Sequence, residues 1–231
     1  MIEVLSSGTA WGVALTIGGY ALGTFINRKT GKAWCNPLLL GSLFVILLLS
    51  LLKIPYSEYK ASSSPISYLL LPATVSLAIP LYEKWELLKS NLVAILAGIL
   101  AGVLTSLGSI TLLAFLLKLD AVQTATLLPK SVTTAIGMDV AASLGGLPSL
   151  AGAIIILTGI TGNLTAQWLC KALKITDPLA RGIGIGTASH AIGTAKALEM
   201  GQVEGAMSSL AVALAGMLTA FAAPVFAKLW L

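Results

Sequence analysis

A chain of 231 residues that is 57% hydrophobic and only 10% charged is not a soluble globular domain, which carries about 25% charged residues. The net charge of +5 does not indicate nucleic acid, because excess Lys and Arg in a membrane protein marks cytoplasmic loops. Cys35 and Cys170 have no metal-like spacing and His190 is the only imidazole, so neither a metal nor a cofactor is expected.

The first span is expected over Gly8 to Ile26, as a permanent span: Met1 to Ser7 carries Glu3 but no Lys or Arg. Its Gly19 and Gly23 allow a second helix to pack closely. Arg28, Lys29 and Lys32 follow without an acidic residue and place that loop in the cytoplasm. Asn36-Pro37 opens a second span to Leu52, since Pro is tolerated where a helix begins. Lys53 to Pro65 reads as a short polar loop. Ser67 to Tyr82 is apolar but broken by Pro72 and Pro80. Asn91 to Leu117 is a long span with Gly98-xxx-Gly102, and Leu112 is expected inside its packed face. Thr124 to Leu144 is again broken, at Pro129, and Gly145-Gly146-Leu147-Pro148 is a turn. Ser149 to Leu173 is a span, Arg181 to Glu199 is broken near Gly184 and Gly186, and Gly205 to Leu229 is the last span.

The three broken segments share a pattern of hydroxyl, x, hydroxyl, x, Ala, Ile and a helix breaker. Thr74-Val75-Ser76-Leu77-Ala78-Ile79-Pro80 and Thr187-Ala188-Ser189-His190-Ala191-Ile192-Gly193 flank the copy that starts at Ser131. The first hydroxyls stand 57 residues (74 to 131) and 56 residues (131 to 187) apart, which argues for an internal repeat. The expectation is an all-α polytopic membrane protein, one domain over 1–231, with repeat units of about 65–121, 122–178 and 179–231. It has roughly seven or eight membrane segments, depending on whether the broken segments cross or re-enter. Re-entry at Pro129 would keep Lys171, Lys174 and Arg181 on the cytoplasmic side.

Helix breaks at membrane depth survive only where protein or a watered cavity covers the freed backbone. Paired breaks in corresponding repeat positions are the sequence mark of a transporter site. The hydroxyls there (Thr74, Ser76, Ser131, Thr133, Thr134, Thr187 and Ser189) either hydrogen-bond a small carboxylate or simply satisfy helix carbonyls. Lys130 stands either at the mouth of a half-helix, drawing in an anion, or snorkels to the interface; Asp139 either faces the same cavity or ends its helix. His190 either carries a coupling proton or sits neutral against a helix carbonyl. Asn163 lines the path or bonds a neighbouring helix, and Lys196 and Glu199 form a pair on one helix face. No Gly-x-Ser-x-Gly, His-Glu-x-x-His or Walker pattern is present, so the chain is not expected to be an enzyme.

Four ordered motifs carry a resemblance: Asn36-Pro37-Leu38-Leu39, the stretch from Leu71 to Tyr82, Leu128 to Thr134, and Gly184 to Thr194. They resemble the LrgB/CidB family of bacterial inner-membrane proteins over nearly the whole chain. Where that family often has Pro in the third motif, this chain has Ala135. The resemblance implies either holin-like or antiholin-like control of murein hydrolase activity and lysis, or transport of a small carboxylate such as pyruvate or glycolate. Both come with a small LrgA/CidA-type membrane partner. A multi-pass place in the bacterial inner membrane and a homo-oligomer are the matching expectations.

Overall fold

The computed structural model describes residues 10–31, 35–69, 72, 75, 76 and 78–228. Among them every regular element is a helix. Packing divides the chain into two units, Met1–Ser76 and Leu77–Leu231.

In the first unit, α1 (Trp11–Thr30) ends on Gly31, whose left-handed φ of 62° lets its N–H bond the Asn27 carbonyl at 2.8 Å. Helix α2 (Pro37–Leu51) begins where expected. The Asn36 side chain accepts from the N–H of Leu38 (2.8 Å) and Leu39 (3.3 Å), and Pro37 takes the first helical position. The two helices meet through glycine, as the small-residue spacing implies. A Cβ on Gly19 would press on the Gly41 carbonyl, and one on Gly23 on the Pro37 backbone. The segment read as a polar loop is instead helical, as α3 (Tyr56–Ser62) and α4 (Ser64–Tyr68). Pro55 and Pro65 punctuate it without preventing helix, because each stands at a helix start, where its missing N–H costs nothing. Tyr59 ties this stretch down, its hydroxyl 2.7 Å from Thr16 Oγ1 and its ring 6.1 Å from that of Trp11.

The second unit opens with α5 (Ala78–Glu83) and α6 (Trp85–Ser90). Pro80 does not end the helix, since the backbone is helical from Ala78 through Glu83. Next come α7 (Leu92–Leu117), α8 (Ala121–Leu127), α9 (Thr134–Ser143), α10 (Pro148–Ala172), α11 (Pro178–Met200) and α12 (Gln202–Ala227). By length and composition α7, α10 and α12 suffice to cross a bilayer, and α2 is apolar but shorter. These helices fit a membrane location.

Helix α7 buries Ile95, Ile99, Val103, Leu107 and Ile110, one stripe at helical spacing, against Ala206, Met207, Ala211 and Ala215 of α12. Leu112 is not in that stripe but 58% exposed. A helix in lipid is apolar on both faces, so hydrophobicity alone does not reveal which face packs.

One ending recurs. After α2, α7 and α10 stand Lys53, Lys118 and Lys174, all with left-handed φ (54°, 53° and 54°). Each is followed by an apolar residue whose N–H reaches back five residues: Ile54 to Leu49 (3.0 Å), Leu119 to Ala114 (2.9 Å) and Ile175 to Cys170 (2.8 Å). This closes the orphan carbonyls of the helix end, and Lys complements its negative pole. Asp120 then caps α8 by a reciprocal box with Gln123, and Asp177 caps α11 by accepting from Leu179 N–H at 2.8 Å.

Candidate functional site

The helical ladder of α8 stops at Leu127 and does not resume until Thr134. Pro129 lies in this gap, and the chain reverses around it: Leu147 N–H donates to Thr126 Oγ1 at 2.9 Å, across 21 residues. A Cβ on Gly146 would collide with the Thr126 backbone, so only glycine admits that approach.

Helix α11 is interrupted differently from expectation. Gly184 and Gly186 remain helical, and the departure is at His190, with φ 43° and ψ −146°. Gly186 serves packing instead, since a Cβ there would strike the Ser208 carbonyl of α12. The chain folds back at His190. Arg181 and Lys196 would stand about 22 Å apart on a straight helix, yet both line one cavity of about 200 Å³. Arg181 Nη1 also lies 3.7 Å from Glu204 Oε1, beyond the far end of α11. Helix α11 is therefore a hairpin of two half-helices with His190 at its tip.

The tip is packed by small residues. A Cβ on Gly159 of α10 would meet the His190 ring at 2.7 Å, and one on Gly162 would strike Ser189. His190 is 2% exposed, and its Nε2 lies 2.9 Å from the Ile155 carbonyl. A carbonyl only accepts, so Nε2 carries the hydrogen. Asn163 Nδ2 donates to the Ile192 carbonyl (2.8 Å), and Thr194 Oγ1 donates to the His190 carbonyl (3.0 Å) while meeting Ser208 Oγ at 2.8 Å. These side chains take the carbonyl of the tip residue and that of the residue two further on. A methyl at Gly159 should push the ring from its seat. Gly159→Ala is thus expected to lower stability by about 1–3 kcal/mol. Gly108→Ala, with open space around it, should raise stability by up to about 1 kcal/mol. Thermal unfolding of the purified protein reads both.

Helix α7 touches both the gap and the hairpin. Gly102 of α7 lies against Thr187, and Ser106, about 6 Å further along α7, donates from Oγ to Ser131 Oγ at 3.0 Å. On α10, the Ile155 side chain fills the space over Gly137 while its carbonyl holds His190. Lys130 is half-buried in the gap, and its Nζ donates to Ser131 Oγ at 2.9 Å. Among the described residues no carboxylate lies within 4 Å of that ammonium. Thr133 stands at the N-cap of α9 without a side-chain cap bond, leaving the N–H groups of the first turn to other partners. Thr134 follows it, half-buried beside Gly152 of α10.

Lys130, Ser131, Thr133 and Thr134 thus lie at the gap, and Thr187, Ser189 and His190 lie on one arm and the tip of the hairpin, with Asn163 holding the tip. Thr187 spends its hydroxyl on the Ile183 carbonyl of its own helix, at 2.8 Å. Asp139 is exposed, one turn and a half of helix after the break. Ser76 is exposed in the first unit, and Thr74 lies outside the described residues. Ser106, Thr194 and Ser208 were missed by sequence reasoning. Ser106 was within reach of it, four residues after Gly102 and so on the same helix face.

The family model described as "LrgB-like family" matches residues 16–229. The chain belongs to this family. It is 32% identical over 220 residues to the antiholin-like protein LrgB of Bacillus subtilis (strain 168), covering 95% of either chain. No solved structure matches. Three of the four motifs that carry the resemblance fall on described structural joints of the LrgB-like chain. Asn36-Pro37 caps α2, Leu128 to Thr134 is the gap, and Gly184 to Thr194 is the hairpin tip.

Proposed function

We propose that the chain is a multi-pass protein of the bacterial inner membrane that carries a small monocarboxylate, pyruvate- or glycolate-like, and is not an enzyme. It acts with a small LrgA/CidA-type membrane partner and as a homo-oligomer. The gap at Pro129 and the hairpin at His190 are re-entrant and meet at membrane depth, and with the remaining helices they make up the seven or eight membrane segments. The carrying observation is Lys130: a half-buried ammonium in a helix gap, bonded to Ser131, with no carboxylate within 4 Å among the described residues. Such a charge is costly in an apolar surround and is stabilised by an anion. A carboxylate there would receive Lys130, the Ser131 and Thr134 hydroxyls and the N–H groups that open α9, whose positive pole points at it.

The antiholin-like relative favours a second reading, in which the chain regulates murein hydrolase activity and lysis without a substrate of its own. Flux separates the two. Proteoliposomes holding the full chain, with and without the small partner, should take up labelled pyruvate or glycolate saturably. If neither preparation does so, while expression of the pair still alters lysis, the regulator reading replaces transport.

A further inference from the structure

The hairpin creates a second feature, away from Lys130. Both arms of α11 and the end of α10 enclose the cavity of about 200 Å³, lined by Gln167, Cys170, Lys171, Arg181, Lys196, Glu199 and Met200. Three cations face one carboxylate. That carboxylate, Glu199, is taken by Lys196 at 2.9 Å. Arg181 is fixed by Glu204, by its Nε bond to the Ile175 carbonyl (2.7 Å), and by its place in the first turn of α11. Lys171 has no ion pair among the described residues. A second cavity, of about 150 Å³, shares Cys170 and Arg181 with the first. It runs between α10 and α11 past Ala166 and Gly184 to Gly162 and Ser189, the residue before the hairpin tip. Its walls are mainly apolar, so an anion would find a charge partner only at the Arg181 end and hydroxyl partners at Thr165 and Ser189.

We propose that the basic cavity is an outer binding site for a small oxyanion, and that the trench below it is the route from that site to the paired breaks. This rests on the carboxylate reading above. Lys171 supplies the attracting charge, Lys196 holds the Glu199 carboxylate, Arg181 orients the anion, and Gln167 donates from its amide. The same oxyanion chemistry belongs to a soluble carboxylate and to a phospholipid headgroup. The size of the cavity and its trench toward Ser189 point to the soluble ion.

Cys170 lines both cavities and serves as the reporter. In the full chain carrying Cys35→Ser, reconstituted in zwitterionic lipid, an anionic sulfonatoethyl methanethiosulfonate should modify Cys170 about 10-fold faster than its cationic trimethylammonium counterpart. The preference should shrink with added salt. It should vanish in Lys171→Gln/Lys196→Gln, two exposed or partly exposed positions whose loss leaves the Arg181–Glu204 pair intact. Pyruvate should slow modification saturably. Equal rates for the two reagents, or no modification by either, overturn the site. Protection by phosphatidylglycerol vesicles but not by pyruvate overturns the route and assigns a headgroup site. Lys130→Gln should keep the preference at Cys170. Preference and pyruvate protection without flux would sink transport but not this site, whereas normal flux without preference would sink this site alone.

Discussion

Lys130→Gln should raise the half-saturation for a small monocarboxylate about 10- to 100-fold in proteoliposome flux. A hydrogen bond to a charged group contributes on the order of 1.5–3 kcal/mol, and about 1.4 kcal/mol is a factor of ten. Glutamine keeps a donor and most of the length, so the charge is what the substitution removes. Lys130 Nζ has three hydrogens, and among the described residues Ser131 Oγ takes one, so an anion could receive the others. Ser131→Ala removes a neutral donor, with a net effect of about 0.5–1.5 kcal/mol, and should shift half-saturation only about 2- to 10-fold. Two controls bracket the result. Lys118→Gln removes an exposed charge at the end of α7 and should leave half-saturation unchanged. Ile99→Ala, fully buried, should lower stability by about 2–5 kcal/mol and reduce the folded yield rather than affinity. If Lys130→Gln folds normally and transports with unaltered half-saturation, the lysine snorkels to the interface and the site lies elsewhere.

Helix positions were legible because caps and breakers are local chemistry. Asn36-Pro37, Asp120, Gly145-Gly146-Leu147-Pro148 and Asp177-Pro178 all stand where a helix starts or stops. The three lysine endings share a Leu-Lys-apolar core: Leu52-Lys53-Ile54, Leu117-Lys118-Leu119 and Leu173-Lys174-Ile175. The packed faces were not legible. Ile110 is 7% exposed and Leu112 58%, two apolar residues on one helix that hydrophobicity cannot rank. Small residues carried that information: Gly98 and Gly102 face α11, Gly159 and Gly162 face its tip, and Gly182 and Gly186 face α12. Helix α11 is thus packed by glycine on three sides. This explains why Gly186 misled as a breaker; Gly184 has open space around it and stays helical all the same. A glycine in a membrane helix can make room for a neighbour instead of a bend, and Pro80 likewise lies within helical backbone. The bend fell on His190, one of the few non-glycine residues found more often at positive φ, where its ring is held from outside the helix.

That holding makes the last expectation specific. His190 has φ 43° and ψ −146°, a quadrant left almost entirely to glycine, at a cost of order 1–3 kcal/mol for any other residue. The surroundings over-determine it: the ring fills the seat left by Gly159, Nε2 bonds the Ile155 carbonyl, and Thr194 and Asn163 take the carbonyls of the tip. His190→Ala loses the ring's packing and its hydrogen bond, together about 2–4 kcal/mol, and keeps the backbone strain. His190→Gly loses the same contacts but relieves the strain, so it should be the more stable of the two by about 1–3 kcal/mol. This inverts the usual order, in which glycine inside a helix is about 1 kcal/mol worse than alanine. Thermal unfolding of the two variants side by side decides it. Equal melting temperatures, or a more stable alanine variant, would mean that the chain does not turn at 190 in the way described. The same pair separates two roles for the histidine. If His190 only positions the tip, the glycine variant should transport with nearly normal half-saturation while the alanine variant is impaired. If the imidazole carries a coupling proton, both variants should lose proton-driven accumulation equally and keep downhill exchange.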